Sequence, residues 1–420
     1  MNSRAAFLAL VVMFCGAQAP GAQHLLLPMD DAQRNHLKAY GVTFGVLQDG
    51  SRAEWLLNYR GGSFLLVDSD SARRRAALAG VSAELLDGNA LQAIRAEIAT
   101  SNMDAVVLER APRVAIYTPP TSQPWDDAVT LALEYAGIPY SRVWDDEVLA
   151  GALSRFDWLH LHHEDFTGQL NKFHLSFAAA PWFQRLRHES VTTAQRLGYP
   201  DPPALKKAVA EAMRRYVEQG GLLFAMCGAT ETLELAIAAH RVDIADAPAD
   251  GTPRDANADA RFDWTRSFAL AGVQLEPPTS PGMSDADGHH VNTTLRRQRL
   301  GVVSLFGFSP KFDPVAAMLV QNHRSVIPDF YGVTTSFMRQ RLKPGVTVLA
   351  YEEGAPWAKY LHGDYGRGSW TYLGGHDPED PQHAVGSAPT NLALHPNSPG
   401  YRLILNNVLF PAAKKRPRKT

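Results

Sequence analysis

The chain has 420 residues, 45% of them hydrophobic, and a formal charge of −2 with acidic and basic residues interspersed. Such a chain buries a large core as two domains or one elaborated one, and is neither a fibre nor a tail. The charge pattern excludes a nucleic-acid surface; the basic terminal "KKRPRKT" reads as a solvated end, with an interaction tail as the alternative.

Residues 1–22 carry an arginine near the start, then the apolar "AAFLALVVMFCG", then small residues. The run is too short to span a bilayer, so it predicts a signal peptide and an exported, periplasmic or secreted protein. Ala17 and Ala19 set a cleavage site after Ala19, with a cut after Ala22 as the alternative because Pro20 follows Ala19. A lipid anchor on Cys15 ranks second, since Phe14 is bulky for a lipobox. No later segment predicts a transmembrane span. Once the leader is removed, Cys227 is the sole cysteine, so no disulfide framework is expected and the thiol is either an inert buried group or a nucleophile.

From residue 23 to 110 the pattern predicts a smaller N-terminal α/β unit: "HLLLPMD" as a strand, "AQRNHLKAYGVTFGVLQDG" as a helix, "AEWLLNY" as a strand, then further alternation. Its "NYRGGSF" loop reads as a plain turn, with backbone anion binding as the alternative. Residues 111–420 open a second unit at "RVAIYTP". A helix with Asp126 and Asp127 in its first turn follows, then strands in "IPYSRVW" and "FDWLHLHHEDFTG". This order predicts an α/β fold with a doubly wound, mostly parallel sheet. A helix over Ala204–Gln219 leads to the apolar strand Leu222–Met226 and a second helix in "ATETLELAIAAH". Residues 241–343 read as a loop-rich insertion or lid. Order returns with "GVTVLAYEE", two β runs around a turn in "AKYLHGDYGRGSWTYLGGHDPED", and a closing helix in "PGYRLILNNVLFPAA".

Cys227 stands at the C-terminal end of the predicted central strand, where a parallel sheet binds ligands. A sharp turn there exposes its sulfur to the positive end of the next helix, and the small Ala225, Gly228 and Ala229 permit that turn. The backbone N–H of Gly228 would be one oxyanion donor. The expected base is His376, after two glycines that follow a strand, with Asp377 or Glu379 to orient its ring. His160 and His162 share a strand face, and with His163, Asp165, His376 and Asp377 they could ligate a metal such as zinc; the alternative is that these groups satisfy one another. Otherwise no cofactor is expected. Trp125, Trp158, Trp182 and Trp370 read mostly as core, with one or two able to stack on a sugar or peptide.

The order of strand, crossover helix, strand, elbow cysteine and late strand-loop histidine resembles the class I glutamine amidotransferase-like superfamily from about Arg113 onward, less the insertion. The ending "YGRGSWTYLGGHDPED…PGYRLILNNVLFPAA" is similar to the trehalose-utilisation (ThuA-like) branch. Over its full length the chain resembles an exported bacterial family labelled asparagine synthetase B. That chemistry is not expected here, because position 2 is Asn2, within a leader, and no S-G-G-x-D-S phosphate loop is present. The resemblance implies Cys227 as nucleophile, His376 as base and the N–H groups near Phe166, Thr167 and Gly168 as the rest of the oxyanion hole. The family's acid lies two residues beyond the histidine, where this chain has Pro378, so Asp377 or Glu379 would substitute; the elbow pattern is A-M-C-G-A instead of G-x-C-x-G. Three functions follow as expectations: a cysteine hydrolase acting on an amide or related acyl bond, a non-catalytic ThuA-like protein binding a carbohydrate, peptide or other small polar ligand, or a metal-dependent hydrolase.

Overall fold

The computed structural model describes residues 23–121, 123, 125–286, 302–313, 325–328, 336–352, 354, 357–380 and 385–413. The expected leader, the basic tail and parts of the 241–343 insertion lie outside the described residues.

The N-terminal unit comprises β1 (His24–Leu27), α1 (His36–Gln48), β2 (Ala53–Leu57), β3 (Ser63–Val67), α2 (Asp70–Ala79), β4 (Glu84–Leu86), α3 (Gly88–Thr100) and β5 (Asp104–Leu108). Its five strands lie in the order β4-β1-β3-β2-β5, every neighbour antiparallel. The helices start where a side chain takes up an orphan N–H: Asn35 accepts from Lys38, Ser69 from Ala72 and Asp87 from Ala90. The "NYRGGSF" loop is a turn. Gly61 has φ +77° and a Cβ there would meet the Met29 carbonyl oxygen at 2.1 Å, so only glycine fits. Arg60 in the same loop is held by Asp30 at 2.6 Å and Glu84 at 2.7 Å.

The second unit contains β6 (Val114–Tyr117), α4 (Ala128–Ala136), β7 (Ser141–Val143), α5 (Asp145–Leu149), β8 (Trp158–Leu161), α6 (His174–Phe177), α7 (Pro181–Arg196), α8 (Pro202–Glu218), β9 (Leu222–Met226) and α9 (Gly228–Ala238). It continues with α10 (Ala247–Asp250), β10 (Val302–Leu305), β11 (Val326–Pro328), β12 (Phe337–Met338), β13 (Thr347–Glu352), β14 (Trp357–Tyr365), β15 (Gly368–Leu373) and α11 (Pro399–Leu409). The sheet runs β11-β10-β13-β14-β15-β9-β8-β6-β7, with β12 paired to β14.

The fold is mixed α/β, and the expectation of a mostly parallel sheet is corrected. Strands β15, β9, β8, β6 and β7 are joined by four parallel pairings. The other five pairings are antiparallel. The reason is connection length: parallel neighbours need a crossover, whereas β14 and β15 are separated by Gly366 and Arg367 alone, which permits only a hairpin. The insertion is more than loop, since β10, β11 and β12 belong to it and extend the sheet.

Along β9 successive side chains enter two different cores. Leu222, Phe224 and Met226 join a cluster containing Leu37, Tyr40 and Phe44 of α1, Leu133 of α4 and Leu405 of α11. Leu223 and Ala225 join another with Val209 and Met213 of α8 and Leu233 of α9. The first cluster also holds Trp55 and Phe64 of the N-terminal sheet, so the two sheets share one core. Buried Arg402 of α11 fastens them, donating to the carbonyls of Met29 at 3.2 Å and Gly61 at 2.6 Å.

Candidate functional site

The parallel half of the sheet ends its strands at one edge, and the site stands there. β9 terminates at Met226, and Cys227 takes φ 50°, ψ −141°, a left-handed conformation uncommon for a side-chain-bearing residue, before α9 begins at Gly228. The Cys227 N–H donates to the carbonyl of Gly375 at 3.0 Å. Register explains this contact: Leu373 of β15 pairs with Met226 of β9, so the residues after each strand emerge side by side. Cys227 is buried, with 6% of its surface exposed. A Cβ on Gly228 would lie 3.4 Å from Asn171 Oδ1, so Asn171 covers the first turn of α9. Asn171 sits in a run of three left-handed residues, Leu170, Asn171 and Lys172, at φ 53°, 51° and 55°. Consecutive strain of this kind persists only where the surroundings enforce it. Asp165 does so by accepting from the N–H of Asn171 at 2.6 Å.

On the other side of β9, β8 delivers the histidines. His160 donates from Nδ1 to the Phe224 carbonyl at 3.0 Å, fully buried against Trp158. His162 Nδ1 lies 3.1 Å from Asp127 Oδ1, and His162 Nε2 lies 3.0 Å from His376 Nδ1. Asp127 caps α4, where the same oxygen accepts from the N–H groups of Val129 and Thr130. A carboxylate can only accept, so a neutral His162 carries its hydrogen on Nδ1 and offers the Nε2 lone pair to His376. His376 then carries its hydrogen on Nδ1, and its basic nitrogen is Nε2. Burial would raise the Asp127 carboxyl, but the His160 and His162 rings outweigh it and hold the group well below the ordinary carboxylate range. Burial pushes Glu164 up to about 7, opposed by the His162 N–H that its Oε2 accepts at 3.0 Å.

His163 completes the cluster. Its Nε2 donates to the Asp126 carbonyl at 2.5 Å, and its ring lies 4.1 Å from that of His162 and 4.4 Å from that of His376. Two groups could each hold a metal ion, His162–His163–His376 and Asp127–His160–His162, with ligand atoms within 4.8 Å of one another. Their imidazole and carboxylate donors suit zinc or a similar divalent ion. Trp125, 5.6 Å from the His163 ring, opens an aromatic wall continued by Phe173 and Trp182. Trp158 and Trp370 are core.

Several expected residues face elsewhere. Asp377 is fully buried and accepts from the Tyr401 hydroxyl at 2.7 Å and the Glu379 N–H at 2.8 Å, while Glu379 faces His395 at 3.2 Å. The ring partner at His376 Nδ1 is therefore His162, not Asp377 or Glu379. The Thr167 N–H donates to the Asp165 carboxylate and the Gly168 N–H to the Asp165 carbonyl, so both donors are taken up within their own turn. Phe166 is fully buried and stacks on Tyr117. Asp165 belongs to this loop and to neither metal-capable group. Sequence reasoning missed the part played by Asp127, read only as a helix-start acid, and by Asn171. The N-cap signal was legible at Asp127, but its second partner, 35 residues away, was not.

No family model matches the chain, and no curated protein matches it. Among solved structures, cytoplasmic protein STM3548 of Salmonella typhimurium is 12% identical, with 72% of this chain and 100% of that chain covered and a TM-score of 0.34. Cytoplasmic protein STM1381 of Salmonella typhimurium LT2 is 13% identical over 72% and 99% at a TM-score of 0.33. A β-galactosidase from Bacillus circulans sp. alkalophilus is 10% identical, with 64% of this chain and 29% of that chain covered and a TM-score of 0.27. At TM-scores this low the likenesses support no statement about fold or activity.

Proposed function

We propose that the protein is an exported hydrolase of the class I glutamine amidotransferase-like type, with Cys227 as nucleophile on an amide or related acyl bond. The observation that carries this reading is the strained Cys227 turn between β9 and α9, tied through its N–H to Gly375, the residue before His376. His376 Nε2 takes the thiol proton. The thiolate attacks the carbonyl carbon, the Gly228 N–H steadies the oxyanion, and the amine leaves with the proton from His376. Water then cleaves the thioester, with His376 again as base. His162 and Asp127 orient His376 and stabilise its charged form, the part assigned to a carboxylate alone in a simpler triad. The aromatic wall at Trp125, Phe173 and Trp182 would bind the body of the substrate.

Iodoacetamide labelling tests this reading. Native Cys227 is expected to react about tenfold faster than in urea-unfolded chain, since the helix start and His376 favour the thiolate. Native labelling no faster than unfolded labelling overturns it.

One observation favours a second reading, the convergence of His162, His163 and His376 with ligand atoms within 4.8 Å. These three would hold a divalent ion, which would supply Lewis-acid polarisation of a carbonyl or a more acidic water. Metal analysis of the purified chain separates the two. Stoichiometric zinc lost in His163→Ala supports the metal reading, and its absence together with fast thiol labelling supports the cysteine reading.

A further inference from the structure

A cavity of about 930 Å³ opens at the end of the parallel strands opposite Cys227. The starts of four strands line it, at Arg113, Asp157, Leu222 and Gly368. Val106 of β5 closes one side, and Phe312, 76% exposed, stands at the opening. β9 spans five residues between cavity and elbow. At roughly 3.3 Å per residue the two are about 16 Å apart through the sheet, so this space is separate from the cysteine and histidine site.

We propose that the cavity is a binding site for a small organic acid with an apolar body and one anionic head. Its size falls at the upper end of the roughly 300–1,000 Å³ usual for small-molecule sites. Leu57, Val106, Phe156, Leu222 and Phe410 supply the apolar walls. The lining also carries five basic side chains, Arg110, Arg113, Arg215, Arg367 and Lys311, against three carboxylates, Asp104, Asp157 and Asp313.

Arg110 and Arg113 are both engaged by Asp157, at 2.7 Å and 3.0 Å. Lys311 donates to the Ala99 carbonyl at 3.0 Å. Arg215 is only loosely tied, 3.5 Å from Glu211. Arg367, exposed in the β14–β15 turn, is in none of the ion pairs among the described residues, and its backbone N–H donates to the Glu218 carbonyl. Two guanidiniums thus border apolar walls with donors to spare. Carboxylate, sulfonate and phosphate are the groups that match such a fork. Because the walls come from both sheets and the insertion, an occupant would also brace them against one another.

The test is a fluorescence titration of the full chain with 8-anilinonaphthalene-1-sulfonate, an aromatic sulfonate, beside the neutral dye N-phenyl-1-naphthylamine. Saturable binding of the sulfonate is expected. The double variant Arg215→Gln/Arg367→Gln should weaken sulfonate binding roughly tenfold and leave the neutral dye unchanged. Phe312→Ala should weaken both dyes. All three side chains are exposed, so unchanged thermal unfolding without dye shows that the fold is kept. No saturable sulfonate binding, or a double variant that binds the sulfonate as the wild type does, overturns the proposal.

Discussion

At the scale of single residues, Cys227 and Asp127 are the informative positions. A side chain at φ 50° costs on the order of 1 kcal/mol that glycine does not incur. Cys227→Gly is therefore expected to unfold at higher urea than Cys227→Ala, by about 1 kcal/mol, since both lack the sulfur and only one relieves the backbone. If alanine is the more stable, the turn is not strained. The relay from Asp127 through His162 to His376 makes a second, opposed expectation for two carboxylates. Asp127→Asn should slow iodoacetamide labelling of Cys227 roughly tenfold or more, because the amide oxygen, held in place by the Val129 and Thr130 N–H groups, still accepts from His162 but no longer carries the charge that stabilises a protonated His376. Asp377→Asn should leave the rate near that of the wild type, as that carboxylate is bound to Tyr401 and its own turn. Equal losses in both would dissolve the distinction.

At the scale of elements, α9 does more than carry the elbow. It is buried along its whole length, and the two acids in it are docking points for the insertion. Glu231 accepts from the Ser284 hydroxyl. Glu234, fully buried, accepts from the N–H groups of Phe268, Ala269 and Leu270 and from the Tyr372 hydroxyl. Burial raises the Glu234 carboxyl, and those donors pull it back only in part. Glu234→Ala leaves three buried N–H groups without an acceptor, so a loss of about 3 kcal/mol is expected in urea unfolding. Limited proteolysis should then cut between residues 263 and 286 in the variant and spare the wild type. An unchanged cleavage pattern would mean that the segment is held by its apolar cluster at Leu270, Val273 and Met283 alone.

For the whole molecule, the shared core makes stability a joint property of both sheets, and pH acts on it through buried groups. His362 on β14 is buried beside Thr371, and burial holds its ring down to about 4, against 6.5 for an exposed histidine. The unfolded chain therefore binds a proton near pH 6.5 that the folded chain refuses until near pH 4. Its contribution is fully present above pH 6.5 and is lost as the pH falls toward 4, at most about 3 kcal/mol. Urea midpoints over that window should fall in the wild type and fall less in His362→Gln. Parallel curves would show that other groups set the acid limit.

Local rules carried the reading of this chain a long way. The helix expected over Ala204–Gln219 and observed at Pro202–Glu218, and the strand–turn–helix at Cys227, rest on contacts within a few residues, so their signals lie in neighbouring letters, whereas α1 starts at His36, four residues past the expected Ala32. That His376 follows a strand and two glycines was likewise legible, whereas the emergence of that segment beside Cys227 came from the long-range pairing of Leu373 with Met226. The pairing of β10 with β13, the sharing of one core, and the partners of His376 were decided by tertiary structure. Each depends on segments far apart in the chain: Ser304 with Tyr351, Arg402 with Met29, His162 with His376. Hydrophobic period reports which side of an element is buried but not what it is buried against, and an acid reads the same whether it caps a helix or aims a histidine.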